Sequence, residues 1–183
     1  FSDAMIKNWQ GEGIHCDYIR RFQNKLPGLY FVEVDEDGER SFQYWRGQAA
    51  ARELFSGTSF NDSLEEVARF DYIYLSGISV AILPEEGKDR LIQWLSKARA
   101  QGAKVCFDNN YRPKLWKNVD EMKLWDQKVL ENTDIACHTF DDDQMIWGDQ
   151  DPTETFARCR EFGVSEIILK RGTEPCLIEI DGA

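Results

Sequence analysis

The segment AKVCFDNNYRPKLW, residues 103–116, decides the fold, because a short apolar run ends there in a cluster of polar side chains. Its first five residues predict a buried strand, and Asp108, Asn110 and Arg112 follow where that strand ends. In an open α/β sheet, ligands bind outside the carboxyl ends of the strands, so these side chains are candidates for an anion-binding site. Pro113 favours an extended backbone at Arg112 and argues against a helix starting there. The alternative is a solvated turn that carries a surface arginine.

From Phe70 onward, short apolar runs alternate with longer amphipathic segments. This alternation is typical of βαβ units around a mainly parallel sheet, so we predict an α/β fold. The predicted strands, each apolar enough to be buried on both faces, are 72–75, 104–107, 135–138 and 166–170. The predicted helices are 85–101, 119–131 and 152–162.

Composition and charge narrow the class of protein. The 183 residues suffice for one domain with a real core. A net charge of −11 and a pI near 4.7, without a basic stripe, argue against nucleic acid or an anionic membrane surface as a partner. No signal peptide or membrane span is visible. Five cysteines without paired spacing predict reduced thiols in the cytoplasm, with Cys106, Cys137 and Cys176 in the core.

Before the predicted sheet, two β-rich runs at 28–34 and 40–44 flank an Asp-Gly turn and predict a hairpin. We expect it to be a lid, spanning about 27–46, over an α/β core at about 47–183, within a single domain; an edge hairpin is the alternative. Tyr44 and Arg46 lie on one face of an extended strand and suit a hydroxylated anion, unless Arg46 pairs with a nearby acid. An exposed hairpin also offers a surface on which a second copy could pair to give a homo-oligomer.

Two further strand ends carry charged residues. Lys170 and Gly172 form a turn that can approach a nucleotide, although such turns are commonly structural. Asp141 begins a run of three acids that either reaches a hydrated magnesium ion or favours a helix N-terminus, and the helix reading is preferred. Neither a Walker-type nor a GxGxxG phosphate-binding motif occurs.

Both ends of the chain look cut. Phe1 falls within an amphipathic helix that has no capping residue, and the turn at Asp181-Gly182 is followed only by Ala183. We therefore expect an incomplete domain.

Three segments, LPGLYFVEVDEDGERSFQYWR, FDYIYLSGISVAIL and KVCFDNNYRPKLW, resemble the 2-keto-3-deoxygluconate kinases of the ribokinase-like (PfkB) family of carbohydrate kinases. The resemblance implies a three-layer α/β sandwich with a mainly parallel central sheet and a small β lid. It also implies transfer of the ATP γ-phosphate, with Mg²⁺, to the sugar acid 2-keto-3-deoxygluconate, giving its 6-phosphate. The matching sugar-binding residues are Tyr30, Tyr44, Arg46, Asn110 and Arg112, and the matching nucleotide-binding residues are Asn110, Arg112, Lys170 and Gly172.

The sequence departs from that family in two ways. At the family's Asn-x-x-Glu motif, which is involved with magnesium and phosphate, the matching positions are Asp141 and Gln144, so only Asp141 is a metal candidate. The Gly-Ala-Gly-Asp segment, whose aspartate is the general base, is absent, and we expect it beyond Ala183. We therefore expect this chain alone to contact the sugar without turnover. The alternatives are a fructokinase or nucleoside kinase of the same fold, and a non-catalytic α/β binding module.

Overall fold

A computed structural model of the protein describes residues 1–56 and 70–183. The part of the predicted core at 57–69 lies outside the described residues. Strands β1 (Leu29–Val34) and β2 (Arg40–Trp45) pair antiparallel as the predicted hairpin, in a two-stranded sheet of their own.

A second sheet of five strands has the order β3-β4-β5-β6-β7. Strands β3 to β6 pair in parallel, and β7 returns antiparallel to β6, so the predicted mainly parallel sheet is confirmed. The strands are β3 (Tyr72–Ser76), β4 (Lys104–Asp108), β5 (Ile135–Thr139), β6 (Glu166–Arg171) and β7 (Glu174–Ile180).

The helices end where turn chemistry predicts. Gly102 and Gly163 take positive φ just after two helices, as expected of residues that follow a C-cap. The described helices are α1 (Ser2–Gly11), α2 (Gly77–Ala81), α3 (Glu85–Ala100), α4 (Val119–Leu130), α5 (Phe140–Trp147) and α6 (Pro152–Glu161). None of the helices within the described ranges combines the length and apolarity needed to cross a bilayer.

One hydrophobic core lies between the five-stranded sheet and the helices. Each parallel strand buries alternate residues, and these pack with apolar side chains of α3, α4, α5 and α6 in a single cluster. Strands that follow one another in sequential order, joined by right-handed crossovers, place all of the connecting helices on one face. The expectation that the strands are buried on both faces is therefore wrong for the described residues.

The opposite face of the sheet, which we call the open face, is lined by exposed apolar side chains. Tyr72, Tyr74 and Ile178 are each more than 60% exposed there. Cys106 and Cys137 are half-buried on this face and Cys176 is exposed, so their predicted place in the core is wrong. The alternation of side chains along a strand shows that the strand has two faces, but it does not show which face the helices cover. All five cysteines are free thiols.

A network of charged side chains lies beneath β5, inside the core. His138 and Asp143 are fully buried, and His138 Nδ1 lies 3.0 Å from Asp143 Oδ2. Arg158 donates to Asp143 at 3.0 Å and to both carboxylate oxygens of Asp149 at 2.7 Å. These pairings satisfy charges that would otherwise be costly to bury, and they tie α5 and α6 to the sheet.

Asp126 of α4 lies beside this network with its carboxylate buried. Its Oδ2 accepts a 3.1 Å hydrogen bond from Trp147 Nε1, and its Oδ1 has no partner. Burial raises the pKa of Asp126 to about 6 from its usual value of 3.8. The unfolded chain therefore releases this proton at a lower pH than the folded protein, and the folded protein loses stability as the pH rises through the folded pKa.

We expect Asp126→Asn to remove this pH dependence while keeping an acceptor for Trp147. The free energy of unfolding of Asp126→Asn, relative to that of the wild type, should rise by up to roughly 3 kcal/mol between about pH 4 and pH 7. Denaturant unfolding at a series of pH values measures this difference. Asp37→Asn, on the exposed hairpin turn, is the control and should follow the wild type. A constant difference between Asp126→Asn and the wild type would contradict the prediction.

Candidate active site

The carboxyl ends of the four parallel strands meet at one edge of the sheet. Ser76 of β3 pairs with Asp108 of β4, and Thr139 of β5 pairs with Lys170 of β6. The loop at 109–116, the first turns of α2 and α5, and the turn into β7 all start from this edge. This is the edge at which an open α/β sheet binds its ligands.

The loop at 109–116 is fixed at its far end. Arg112 is extended, with φ −135° and ψ 96°, as Pro113 predicts. One 3₁₀ turn nevertheless begins at Pro113, because proline is tolerated where a first-turn N–H needs no partner, so the expectation of no helix is wrong for this single turn. Trp116 is buried, and the ammonium of Lys88 lies 4.8 Å from the centre of its ring.

Two side chains that sequence reasoning missed hold the near end of the same loop. The buried Asp142 accepts a 3.0 Å hydrogen bond from the backbone N–H of Tyr111. The fully buried Asn109 bonds to the backbone of Thr139. Both partners are about thirty positions away in the sequence, so neither contact leaves a local pattern that could have revealed it.

The hairpin presents the aromatic part of the site. Tyr30 lies directly opposite Tyr44 in the strand register, with ring centroids 6.2 Å apart. The guanidinium of Arg46 lies 4.2 Å from the centre of the Tyr44 ring. Tyr44 and Arg46 therefore lie side by side, as the alternation along the strand predicts.

A cavity of about 320 Å³ lies between the hairpin and the loop at 109–116. Four of the predicted sugar-binding residues line it together: Tyr30, Tyr44, Arg46 and Arg112. In the described part of the chain, neither arginine forms an ion pair with a carboxylate. Arg112 gives one donor to the backbone of the loop, since its Nη1 lies 2.7 Å from the Tyr111 carbonyl oxygen. Because no carboxylate pairs with either guanidinium, both keep donors for an anion.

The other predicted residues lie beside this cavity rather than in it. Asn110, with φ +33°, joins Asp108 to the Tyr111–Arg112 segment. The ammonium of Lys170 lies 3.1 Å from each carboxylate oxygen of Asp108. Gly172 takes φ +57° in the tight turn between β6 and β7.

The three acids at 141–143 have three different environments in the first turn of α5. Asp141 is exposed, Asp142 holds the loop, and Asp143 joins the buried network. Burial is the main cause that raises the pKa of Asp142. Within residues 1–56 and 70–183, no group of three or more His, Cys, Asp or Glu side chains is arranged to hold a metal ion.

The sequence is similar to several curated proteins named 2-dehydro-3-deoxygluconokinase. It is 47% identical over 182 residues to the one from Dickeya dadantii and 45% identical over 182 residues to the one from Escherichia coli K12. It is 40% identical over 171 residues to the one from Haemophilus influenzae, covering 93% of this chain and 54% of that protein. All of this chain is covered in the first two comparisons, and it spans 59% of the length of those relatives.

Solved structures show the same fold at lower sequence identity. A PfkB protein from Polaromonas sp. JS666 superposes with a TM-score of 0.83 at 20% identity, over 96% of this chain and 58% of that one. A putative ribokinase II from E. coli superposes with a TM-score of 0.84 at 23% identity, over 100% and 57% of the two chains. The fold is therefore ribokinase-like.

The sequence profile of the pfkB family of carbohydrate kinases matches residues 1–182 of this chain. This match covers nearly the whole chain, and it agrees with both the similar sequences and the shared fold. The chain belongs to the pfkB family of carbohydrate kinases.

Proposed function

We propose that this chain forms the sugar-acid-binding part of a 2-dehydro-3-deoxygluconokinase. Such an enzyme transfers the γ-phosphate of ATP to 2-keto-3-deoxygluconate, also called 2-dehydro-3-deoxygluconate, and gives the 6-phosphate. The observation that carries the proposal is the pair of guanidinium groups, Arg46 and Arg112, that face one cavity without a carboxylate partner among the described residues. The names of the similar proteins support the same substrate.

The chemistry of the cavity suits a hydroxylated anion. A guanidinium can give a carboxylate two parallel hydrogen bonds, and two such groups bind it more specifically than one. The hydroxyls of Tyr30 and Tyr44 can bond to sugar hydroxyls, while their rings cover the apolar faces. A protein with a net charge of −11 repels anions at long range, so the local positive charge is what makes an anionic sugar a favourable ligand.

These residues bind and orient the sugar rather than exchange protons with it. Among the described residues that line the cavity, none is a carboxylic acid or a histidine that could act as a general base. Phosphoryl transfer depends mainly on positioning and on neutralising charge. The role we assign to this chain is therefore to hold the sugar carboxylate at a fixed distance from the nucleotide.

We infer that ATP lies on the Lys170 side of Asn110. The side chain of Lys170 is 40% exposed, and its ammonium pairs with Asp108. Because this side chain is not deeply buried, the ammonium can turn from Asp108 to a phosphate oxygen. Gly172 leaves the backbone of the turn open to a nucleotide. ATP would bring the transferable phosphate together with Mg²⁺. The candidate ligand for this ion is Asp141, whose carboxylate is exposed at this edge beside Asp142. A similarly folded putative ribokinase II from E. coli was solved in complex with ATP and Mg²⁺.

We place the protein in the cytoplasm, in line with five unpaired thiols, which an oxidising compartment would tend to pair. Within a single domain, the hairpin would be the lid over the sugar and the remaining residues the core.

Arg46→Ala and Arg112→Ala should each weaken binding of 2-keto-3-deoxygluconate by about tenfold to a hundredfold, because each removes a charge-assisted hydrogen-bonding fork. Isothermal titration calorimetry on this chain measures the affinity. Arg40→Ala, at the start of β2 and outside the cavity, is the control and should bind as the wild type does. Tighter binding of fructose than of the sugar acid, unaffected by either cavity variant, would favour a fructokinase instead.

Lys170→Met should raise KM for ATP by about tenfold while changing KM for the sugar acid far less, because we assign this ammonium to a phosphate. Steady-state kinetics of the complete gene product measures both constants. Lys104→Met is the control, since Lys104 also makes an exposed ion pair across the sheet, at 2.9 Å from Glu166, but at the opposite edge. Equal changes in both KM values for Lys170→Met would argue against the assigned role.

We also infer that two copies of the protein associate through their hairpins. Both faces of this two-stranded sheet are exposed and carry large apolar side chains, among them Phe31 and Trp45, which pack edge to face at 5.4 Å. A two-stranded sheet is only marginally stable in water, so a covering partner would stabilise it.

Phe31→Glu should therefore shift the protein from dimer to monomer in analytical ultracentrifugation, because it places a charge in the apolar interface. Ile180→Glu, on the open face, should leave the dimer intact. If only Ile180→Glu dissociates it, the copies associate through the sheet and not through the hairpin.

A further inference from the structure

We propose that Asn109 is a positioning residue, whose buried amide holds Asn110 and Arg112 in register with the start of α5. The inference rests on the proposed function for its consequence in catalysis, but the restraint itself is a property of the structure. Asn109 does not line the cavity, and the hydrogen bonds of its side chain go to the backbone of Thr139 and Asn110. Its effect on the sugar acid is therefore exerted through the backbone of its neighbours.

Asn109 lies where the backbone ladder between β4 and β5 has ended. That ladder contains two residue pairs, Cys106 with Ile135 and Phe107 with Ala136. Neighbouring parallel strands β5 and β6 pair over five residues. The carboxyl ends of β4 and β5 thus lack backbone pairing at the edge where the site is built.

The side chain of Asn109 bridges this gap. Its Oδ1 accepts the backbone N–H of Thr139 at 3.1 Å, and its Nδ2 donates to the Thr139 carbonyl at 3.4 Å. The amide thereby satisfies both backbone groups of the last residue of β5, as a strand residue would. Because Asn109 is completely buried, water cannot replace these bonds if the amide is removed.

The same amide constrains the residue that follows. Asn109 Oδ1 also accepts the N–H of Asn110 at 2.9 Å, and Asp108 Oδ1 lies 3.2 Å from that nitrogen. Asn110 has φ +33°, in the left-handed region, which asparagine tolerates better than most residues with a side chain and which local hydrogen bonds help to hold. The hydrogen bond to Asn109 is one of the contacts that hold this conformation.

The backbone of Asn109 is confined from the other side by Gly77. A Cβ atom at Gly77 would lie 2.0 Å from the carbonyl oxygen of Asn109, which is far closer than any non-bonded contact. The first residue of α2 is therefore pressed against this peptide, while Thr139 holds the side chain. Confined on both sides, Asn109 fixes the point from which the chain departs toward Arg112.

The test compares two pairs of variants of the complete gene product. Asn109→Leu nearly conserves the side-chain volume and removes all hydrogen bonds of the side-chain amide. Asn109→Ala removes the same hydrogen bonds without steric stress. Thr133→Val and Thr133→Ala are the matched controls: Thr133 is also fully buried, and its hydroxyl bonds to the Val129 carbonyl at 2.8 Å, before the start of β5 and so away from the site.

Two readouts distinguish positioning from general stability. The first is kcat/KM for 2-keto-3-deoxygluconate. The second is hydrogen exchange of the Tyr111 backbone amide. This N–H bonds to Asp142, so the Asn109 variants remove neither the donor nor the acceptor of that hydrogen bond. We expect the Asn109 variants to lower kcat/KM by about tenfold or more and to speed exchange at Tyr111 by a similar factor, with melting temperatures close to those of the Thr133 variants.

Changes of less than about threefold in both readouts would overturn the inference. It would also be overturned if neither Asn109 variant folds while both Thr133 variants do, since the amide would then serve the fold as a whole. If the wild type does not phosphorylate the sugar acid, the proposed function fails, and exchange at Tyr111 still decides whether Asn109 positions the loop.

Discussion

Parallel pairing of β3 to β6 is the constraint on which the rest of the structure depends. Because all four strands run the same way, their carboxyl ends must meet at one edge, and the polar residues that follow them are brought together there. The frame is held by a core in which Leu95, Val105 and Val129 have no exposed surface. Side chains that are far apart in the sequence thus become neighbours at a rigid edge.

Charge distinguishes the cavity from the rest of the molecule. Two other partly buried arginines have acidic partners: Arg99 pairs with Asp134 at 2.8 Å, and Arg158 with Asp149 at 2.7 Å. In the described part of the chain, Arg46 and Arg112 form no such ion pair, although acids outnumber bases by eleven in the whole sequence. Two like charges that line one cavity repel each other, and an anion between them would relieve that repulsion.

Much of the fold could be predicted from the sequence, because the apolar runs and the glycines at 102 and 163 mark the ends of strands and helices directly. The helix α2 was missed because its five residues follow β3 without an intervening turn. The two-sided burial of the strands was wrong because alternation does not show how many layers cover a sheet. The roles of Asn109 and Asp142 depend on partners about thirty residues away, which only the folded chain brings near.

The central claim is that Arg46 and Arg112 together bind the carboxylate of a sugar acid in the cavity beneath the hairpin. A crystal structure with 2-keto-3-deoxygluconate bound tests it most directly. The account predicts that the sugar carboxylate accepts hydrogen bonds of about 2.8 Å from both guanidinium groups, with Tyr30 and Tyr44 against the sugar chain. A carboxylate bound elsewhere, with both arginines turned to solvent, would contradict it.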